Sequence, residues 1–394
     1  MKEFIEGSQA VAKAVKMCKP QVISAYPITP QTHIVEGLSQ MVADGELDTQ
    51  FINVESEHSA ASVVLGGVSA GSRVYTATSS QGLLLMMEVL YNIAGMRLPL
   101  VLTCANRAVS APISIWNDHQ DSVAARDTGW IQFYGENLQE LVDLHIFAYR
   151  LSEDKRCYLP VMVCMDGYIL THGMEIVDFP ESKDVDKFLP EYKPLYKLDV
   201  DNPLTLGPIS APSHYMETRA AIQRTFDEVL NEVIPELSSE FEKVFSRKLN
   251  PLIEEYKTDD AQIILVALGS VVGTIKDAVD ELREQGKKVG VVKLVAHRPF
   301  PAKILCKALS KAKYVGVLEK AISLGGQSPV FTELKAAFLN IKEAPQVNGY
   351  VLGLGGRDIS CDDIKNIVEN IGKKQERVEF INIKENLITR EPKW

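Results

Sequence analysis

Short apolar runs alternate with segments of helical periodicity through the first part of the chain. Runs with the length of buried strands lie at 21–25, 51–54, 73–78, 98–104 and 161–165, and helical patterns lie at 7–17, 57–70, 82–94 and 139–151. Neighbouring parallel strands need a crossover connection, which is usually a helix. This alternation therefore predicts an α/β fold with a parallel, doubly wound sheet.

Two helix starts can be predicted from local residue types. Ser8 precedes the apolar positions of the first helical pattern and is a plausible N-cap. Thr29 precedes Pro30, a residue that suits the first turn of a helix, so we expect Thr29 at the N-cap of the second helix.

The character of the chain changes near residue 178. Proline-rich and charged segments follow, with helical patterns at about 215–230 and 235–246, and we interpret this stretch as a linker that wraps the surface. A second α/β unit begins near 263. Its expected strands are 263–268, 289–295, 314–318 and 349–353, and its clearest helix is 272–285. We expect a first domain at 1–255, with the linker from about 178, and a second domain at 256–394.

Composition excludes several classes of function. The 394 residues are 46% hydrophobic and carry a formal net charge of −10 without a basic run, so nucleic-acid binding is not expected. No apolar run approaches the roughly 20 residues that span a bilayer, and the N-terminus has no signal-like apolar core, so we expect a cytoplasmic protein. The six cysteines form no CxxC pair and the seven histidines are scattered, so we expect no metal site.

A long polar segment, 105–121, follows the apolar run at 98–104. Loops of this kind, placed after a core strand, carry substrate contacts in α/β proteins. Arg107 is the one arginine in this segment. Its planar guanidinium could bind the carboxylate of a substrate, or it could form a salt bridge with an acidic side chain on the protein surface. We interpret residues 118–121, Asp-His-Gln-Asp, as a polar network, and Asn117 and Asp118 as groups that shape the loop.

Glu57 begins a helical pattern of small residues directly after the run at 51–54. A carboxylate in the first turn of a helix contributes about 0.3–1 kcal/mol of stability, and this structural role stays open. The functional alternative is a buried carboxylate that holds a proton against a ring nitrogen of a cofactor.

These elements resemble the pyrimidine-binding domain of thiamine-diphosphate enzymes, and the chain as a whole resembles the 2-oxoacid:ferredoxin oxidoreductases. Within that family it is similar to the α subunit of the multi-subunit enzymes that act on pyruvate. The resemblance rests on segments 26–30 (Tyr-Pro-Ile-Thr-Pro), 55–60 (Glu-Ser-Glu-His-Ser-Ala), 78–82 (Thr-Ser-Ser-Gln-Gly), 106–108 (Asn-Arg-Ala), 115–118 (Ile-Trp-Asn-Asp), 126–130 (Arg-Asp-Thr-Gly-Trp) and 353–358 (Gly-Leu-Gly-Gly-Arg-Asp).

The resemblance implies a role for several residues. Glu57 would face N1′ of the aminopyrimidine and support the tautomer that activates the cofactor. Arg107 would pair with the carboxylate of the 2-oxoacid, and Thr29 would hydrogen-bond the carboxylate or keto oxygen of the same substrate. Further cofactor contacts are expected from Pro27, Ile28, Ser80 and Gln81. The second domain would be similar to the C-terminal domain of transketolase.

The resemblance also implies partner chains. The sequence contains no Gly-Asp-Gly element, which in thiamine-diphosphate enzymes binds Mg²⁺ and the diphosphate, and it contains no cluster-type cysteine spacing. A β subunit would bring the diphosphate site, Mg²⁺ and a [4Fe–4S] cluster. A γ subunit and a ferredoxin-like δ subunit would complete the assembly, with coenzyme A as substrate and ferredoxin as electron acceptor.

The expected function is the coenzyme A-dependent oxidative decarboxylation of pyruvate to acetyl-CoA, which is reversible. Three alternatives stay open, of which the first would share all of these motifs. The first is the α subunit of a branched-chain or aryl 2-oxoacid:ferredoxin oxidoreductase. The second is a non-redox thiamine-diphosphate carboligase or decarboxylase, and the third is a non-catalytic assembly subunit in which Glu57 and Arg107 are structural.

Overall fold

The computed structural model describes residues 1–373 and 377–388, in two compact units. The first unit comprises Met1–Glu254 together with two short later segments, Leu268–Ser270 and Leu294–Pro301. The second comprises Glu255–Ala267, Val271–Lys293 and the chain from Ala302 onward. Residues 374–376 and 389–394, which fall in the second of the two domains expected from the sequence, lie outside the described residues.

The elements follow one another in mixed α/β order. The first part of the chain forms β1 (Lys2–Glu6), α1 (Gly7–Met17), β2 (Val22–Ala25), α2 (Thr32–Ala43), β3 (Gln50–Asn53), α3 (Glu57–Ser69), β4 (Val74–Thr78), α4 (Ser80–Leu85), α5 (Met87–Gly95), β5 (Val101–Asn106), α6 (Gln120–Ala124), β6 (Ile131–Tyr134), α7 (Leu138–Ser152), β7 (Val161–Asp166), β8 (Met174–Asp178), α8 (Ser182–Phe188), α9 (Pro212–Glu228) and α10 (Ile234–Phe245). The rest forms β9 (Ile253–Tyr256), β10 (Ile263–Ala267), α11 (Val271–Glu284), β11 (Val289–Leu294), β12 (Ala296–Arg298), α12 (Ala302–Leu309), β13 (Tyr314–Glu319), α13 (Pro329–Phe338), β14 (Gln346–Val351), α14 (Cys361–Asn370) and β15 (Glu379–Phe380).

A seven-stranded sheet organises the first unit, in the order β12-β6-β7-β5-β4-β2-β3. All neighbours in it are parallel except β12, which pairs antiparallel with β6. The central strands β4, β5 and β7 are buried along their whole length, as expected of a parallel sheet covered on both faces. The predicted parallel α/β sheet is therefore confirmed.

The second unit has a six-stranded sheet in the order β15-β14-β13-β10-β11-β9. The pairs β10–β11, β10–β13, β13–β14 and β14–β15 are parallel. Buried apolar residues of α11 and α14 pack on this sheet in one cluster. No helix in the described part of the chain is long and apolar enough to cross a membrane.

Several predicted helix boundaries are wrong. Ser8 lies inside α1 rather than at its cap, and its hydroxyl donates to the Thr171 carbonyl instead. The second helix begins at Thr32, flanked by Gln31, so Thr29 is not its N-cap. The single helix expected at 82–94 is two helices, α4 and α5.

The linker after β8 contains more helix than expected. It forms α8, and α9 continues through a π-helical turn at Val229–Val233 into α10. Apolar residues of α10 pack against α7 and α8 in the core of the first unit. The segment is therefore part of the folded unit.

Arg73 joins four segments of the first unit directly before β4. Its guanidinium donates two hydrogen bonds to the Glu153 carboxylate, at 2.6 and 2.8 Å. It also donates to the carbonyls of Cys18, at the end of α1, and of Pro190, in the linker, each at 2.7 Å. The ion pair between Arg73 and Glu153 is largely buried. Removing either residue would therefore leave the charge of the other one buried without a counter-ion.

Replacing Arg73 with leucine should destabilise the first unit by about 3–5 kcal/mol, because Glu153 would keep a buried charge without its counter-ion. The measurement is the urea midpoint of the transition in which this unit unfolds. The double variant Arg73→Leu/Glu153→Leu should recover part of the loss. The control is Lys183→Leu, which breaks an exposed ion pair with Glu181 and should cost about 0–1 kcal/mol. Equal costs for the two single variants would contradict this account.

Candidate active site

The site lies at the carboxyl ends of the parallel strands in the first unit. Loops after β2, β4, β5 and β7 leave the sheet at this edge, because parallel strands all end on the same side. In open α/β sheets this is the edge where ligands bind. The predicted site residues lie on the loops after β2 and β5 and at the starts of α3 and α4.

Glu57 is the first residue of α3, and its side chain turns inward. Ser56 caps the helix by accepting a hydrogen bond from the Ser59 amide at 3.2 Å. Glu57 itself is only 8% exposed, yet its carboxylate makes no hydrogen bond or ion pair with any described residue. The structure thus places a buried carboxylate here with its acceptor capacity unused.

Gly82 explains how this carboxylate fits beside the neighbouring turn. A Cβ atom at position 82 would lie 2.7 Å from Glu57 Oε1 and 2.5 Å from Thr78 Oγ1, which no side chain tolerates. The Thr78 hydroxyl is buried and has no hydrogen-bond partner among the described residues. Two polar groups that no described residue hydrogen-bonds therefore pack against the Gly82 backbone, which only a glycine lets them approach so closely.

Ser80 and Gln81 tie the turn after β4 to the loop after β5. Ser80 adopts a left-handed conformation with φ of 49°, and its hydroxyl donates to the Ala108 carbonyl at 2.6 Å, with the Gln81 side-chain oxygen as an alternative acceptor in contact with the same hydroxyl. The Gln81 amide donates in turn to the Ser110 hydroxyl. The side chains of both predicted cofactor contacts are thus engaged with the protein, which fixes one loop on the other.

Arg107 is a buried cation without a counter-ion in the described part of the chain. It is 6% exposed; Nε donates to the Ser114 carbonyl at 2.9 Å and Nη1 to the Thr29 carbonyl at 3.0 Å. No carboxylate oxygen of a described residue lies within 4.0 Å of its guanidinium nitrogens, and Nη2 donates to none of these residues. Burial lowers the pKa of Arg107, an effect that Tyr168 and Asp121 oppose. A buried guanidinium in this state favours an anionic ligand.

The segment after β2 is held by Gln31. Its side-chain amide donates to the Ala77 carbonyl at 2.7 Å, and its side-chain oxygen lies 3.4 Å from the amide nitrogen of Ile28. Pro27 and Thr29 are exposed, Ile28 is half-buried, and the Thr29 hydroxyl makes no hydrogen bond with a described residue. Thr29 thus meets Arg107 through its backbone, while its side chain stays available.

Asp121 is the group that holds these loops together. Its carboxylate accepts from the backbone amides of Ser80 at 2.9 Å, Arg107 at 3.0 Å and Ser122 at 2.7 Å, and from the Asn106 side chain at 2.8 Å. Burial raises the pKa of Asp121, and the four hydrogen bonds oppose that shift. The polar network predicted for 118–121 is confirmed, with this carboxylate at its centre.

A second buried pair lies at the end of β7. Asp166 accepts from His119 Nε2 at 2.6 Å and from the amide of Ser270 at 3.1 Å. His119 Nδ1 is buried and has no hydrogen-bond partner among the described residues. Near this pair, Tyr168 contacts Trp116, with the ring centroids 4.7 Å apart.

The structure brings some of the predicted residues together and leaves others apart. Arg107 contacts Thr29, and Ser80 and Gln81 contact the loop that Arg107 begins, whereas Glu57 contacts the turn at Gly82. The sequence analysis assigned no individual role to three of the groups that hold this edge: Asp121, Asp166 and Gln31. Sequence reasoning could have identified Asp121, because it is the last residue of the polar segment at 105–121. Asp166 and Gln31 follow ordinary strand and loop residues and give no local signal.

Comparison with known proteins identifies the family. Residues 13–236 match the family described as pyruvate flavodoxin/ferredoxin oxidoreductase, thiamine diP-binding, and residues 261–364 match pyruvate:ferredoxin oxidoreductase core domain II. The chain is 49% identical over 383 residues to pyruvate synthase subunit PorA of Methanothermobacter thermautotrophicus, covering 97% of this chain and 98% of the relative. It is 42% identical to ketoisovalerate oxidoreductase subunit VorA of Pyrococcus abyssi, covering 98% of each.

A solved structure supports the fold. The 2-oxoglutarate:ferredoxin oxidoreductase of Magnetococcus marinus, solved with 2-oxoglutarate, coenzyme A and succinyl-CoA bound, aligns with a TM-score of 0.72 at 18% identity. The alignment covers 93% of this chain, which spans 65% of the length of that one. The two matched families and the full-length relatives lead to one conclusion: the chain belongs to the pyruvate flavodoxin/ferredoxin oxidoreductase family.

Proposed function

We propose that this chain is the pyruvate-binding subunit of a pyruvate:ferredoxin oxidoreductase, an assembly that converts pyruvate and coenzyme A to acetyl-CoA and CO₂. Two electrons pass one at a time to ferredoxin, and the reaction is reversible. The observation that carries the proposal is Arg107, a buried guanidinium without a described counter-ion next to Thr29. The pyruvate synthase names of the full-length relatives support the choice of substrate.

The polar groups beside Gly82 match the pyrimidine half of thiamine diphosphate in their hydrogen-bonding chemistry. An aminopyrimidine offers a ring nitrogen and an amino group, and Glu57 and Thr78 offer polar atoms that no described residue uses. When bound, the cofactor supplies a thiazolium carbon that acts as nucleophile and electron sink. We propose that Pro27, Ile28, Ser80 and Gln81 line the same site from the two neighbouring loops.

Glu57 would hold a proton between its carboxylate and N1′ of the pyrimidine ring. Its burial excludes water from that hydrogen bond, and the capped start of α3 fixes the backbone from which the side chain extends. This is general acid–base assistance by a positioned carboxylate, which is typically worth 10²–10⁴ in rate.

Arg107 would bind the carboxylate of the 2-oxoacid. Its Nη2 is available and its Nε and Nη1 bonds to backbone carbonyls hold the fork in one orientation. The Thr29 hydroxyl lies on the residue whose carbonyl Arg107 contacts, and it would donate to a substrate oxygen. These residues would orient the substrate and neutralise its charge before the bond between the carboxylate carbon and the keto carbon breaks.

Partner chains would complete the enzyme. The relatives are named as subunits, which supports an assembly of several chains. We propose that a β subunit supplies the diphosphate site, Mg²⁺ and a [4Fe–4S] cluster. A γ subunit and a ferredoxin-like δ subunit would complete electron transfer in the cytoplasm.

The second candidate is a branched-chain or aryl 2-oxoacid:ferredoxin oxidoreductase subunit. The observation in its favour is the 42% identity to a ketoisovalerate oxidoreductase subunit over 98% of the chain. Arg107, Thr29 and Glu57 would serve both reactions, because all 2-oxoacids share the carboxylate and keto group that these residues would bind.

A substrate panel on the assembled enzyme tests the proposed function. Coenzyme A-dependent ferredoxin reduction should be at least tenfold more efficient, in kcat/KM, with pyruvate than with 2-oxoglutarate. A second carboxylate would enter a pocket whose residue 29 is a threonine and not a cation, and its charge would lose water without gaining a partner from this chain. Comparable kcat/KM values for these two acids would contradict the assignment. Higher efficiency with 2-oxoisovalerate would favour the second candidate.

Glu57→Gln should slow hydrogen–deuterium exchange at C2 of the bound cofactor by roughly 10²–10⁴ while the complex stays assembled. The amide keeps the size of the side chain but cannot share a proton with the ring nitrogen. Glu55→Gln is the matched control, because Glu55 is exposed, lies two residues away and contacts Ser59. An exchange rate in Glu57→Gln equal to that of the wild type would remove Glu57 from the proposed mechanism.

Arg107→Ala should lower kcat/KM for pyruvate by about one to two decades, since a charge-assisted hydrogen bond contributes about 1.5–3 kcal/mol. Thr29→Ala should cost about one decade or less, because the backbone contact with Arg107 remains and only a neutral hydroxyl is lost. Steady-state kinetics of the assembled enzyme measure both effects. Arg126→Ala is the control, because it also removes an arginine that bonds a backbone carbonyl in the first unit, and it should leave kcat/KM for pyruvate close to that of the wild type. Unchanged kcat and KM in Arg107→Ala would exclude its proposed role.

A further inference from the structure

Three potential metal ligands that are far apart in sequence meet on the first unit. Glu6 is the last residue of β1, His33 lies in the first turn of α2, and His172 lies in the turn before β8. One ligand atom from each residue lies within 4.8 Å of the other two. His33 Nδ1 is 2.7 Å from Glu6 Oε1, and the two imidazole rings are 4.9 Å apart.

The backbone around the cluster is held by hydrogen bonds between its three segments. The amide of Gly7 donates to the Gly173 carbonyl at 3.0 Å, and the amide of Ser8 donates to the Thr171 carbonyl at 2.9 Å. Gln9 donates from its side chain to the His33 carbonyl at 3.1 Å. The start of α1 therefore fixes the segments that carry both histidines, and the cluster is a feature of the packed unit.

The His172 ring is oriented for coordination. Its Nδ1 lies 2.7 Å from the Thr171 hydroxyl, and Tyr168 stacks on the ring with centroids 4.8 Å apart. Its Nε2 has no hydrogen-bond partner among the described residues. A histidine whose one nitrogen is held by a neighbouring group and whose other nitrogen is available is the arrangement that metal ligands use.

We propose that Glu6, His33 and His172 bind one divalent transition-metal ion of the Zn²⁺ class. Two imidazoles and one carboxylate match the preference of Zn²⁺ for nitrogen and oxygen ligands, whereas Mg²⁺ and Ca²⁺ prefer oxygen throughout. Bonds of about 2.0–2.2 Å place tetrahedral ligand atoms about 3.3 Å apart, so side-chain rotations would have to close at most about 1.5 Å. Water would fill the fourth position, since Glu6 and His33 are partly exposed.

The ion would act as a structural clamp. It would hold β1, α2 and the turn at 167–173 together, and this turn carries Tyr168, which contacts both His172 and Trp116. Trp116 lies in the loop that Arg107 begins. A metal ion bound by Glu6, His33 and His172 should therefore stabilise the first unit. Because the Tyr168 ring packs on both His172 and Trp116, the ion would also help to hold Trp116 in place.

Titration of the metal-stripped, full-length chain with Co²⁺ tests the proposal, because bound Co²⁺ in a low-coordinate nitrogen and oxygen site has a visible absorption band. We expect one equivalent to bind and Zn²⁺ to displace it. His172→Gln and Glu6→Gln should each weaken Co²⁺ binding by about 100-fold or more, since loss of supporting groups alone typically costs 10–100-fold. The matched control His214→Gln, at an exposed histidine of α9, should bind Co²⁺ as the wild type does.

Thermal unfolding gives a second, independent measurement. Zn²⁺ should raise the melting temperature of the wild type in a concentration-dependent way, because an ion that binds the folded state stabilises it by mass action. The same addition should leave His172→Gln unchanged, and His33→Gln serves where either other variant fails to fold. Absence of Co²⁺ binding at millimolar concentration, or equal binding in the wild type and in a folded ligand variant, would overturn the proposal.

Discussion

The buried carboxylate of Asp121 is the constraint on which the geometry of the site depends. It accepts hydrogen bonds from the turn after β4, from the end of β5 and the residue that follows, and from α6. Burial of an isolated carboxylate is costly, and four directed donors compensate for it only if all of them stay in place. The loops that carry Ser80 and Arg107 are therefore fixed by one group, and neither can move without leaving Asp121 with an unmet acceptor.

Close packing at Gly82 is the second requirement. The turn held by Asp121 continues into α4, where the absence of a side chain lets Glu57 and the Thr78 hydroxyl approach the backbone. A small residue is thus needed next to the carboxylate for steric reasons, independent of any cofactor. The consequence is that Glu57, on a different helix, takes its position from the same turn that Asp121 orders.

The sequence predicted the strands that carry buried apolar runs, and it failed where the signal was short or non-local. β2, β4, β5 and β7 lie within three residues of their expected bounds. β6 has four residues, and β12 has three and pairs with a strand far earlier in the chain. The break between α4 and α5 at Met86 could not be predicted either, because no glycine or proline lies between residues 83 and 94 to mark it. Thr29 was a reasonable N-cap by residue type, but tertiary contacts of Gln31 move the helix start to Thr32.

The candidate site was predictable in its charged residues and not in the contacts that position them. Arg107 and Glu57 stand out because a motif surrounds each of them, but sequence alone left a surface salt bridge and a helix-terminal charge as alternatives. The structure argues against a surface salt bridge for Arg107, because the guanidinium is buried and bonded to carbonyls, with no carboxylate of a described residue within ion-pair distance. Glu57 stands at the start of a helix that Ser56 already caps, so its burial is not needed for capping.

A buried cation and a buried carboxylate that are not paired with each other both cost free energy in this unit. That cost is recovered when each receives a ligand of complementary charge or hydrogen-bonding capacity, which is the arrangement expected of a site built to bind.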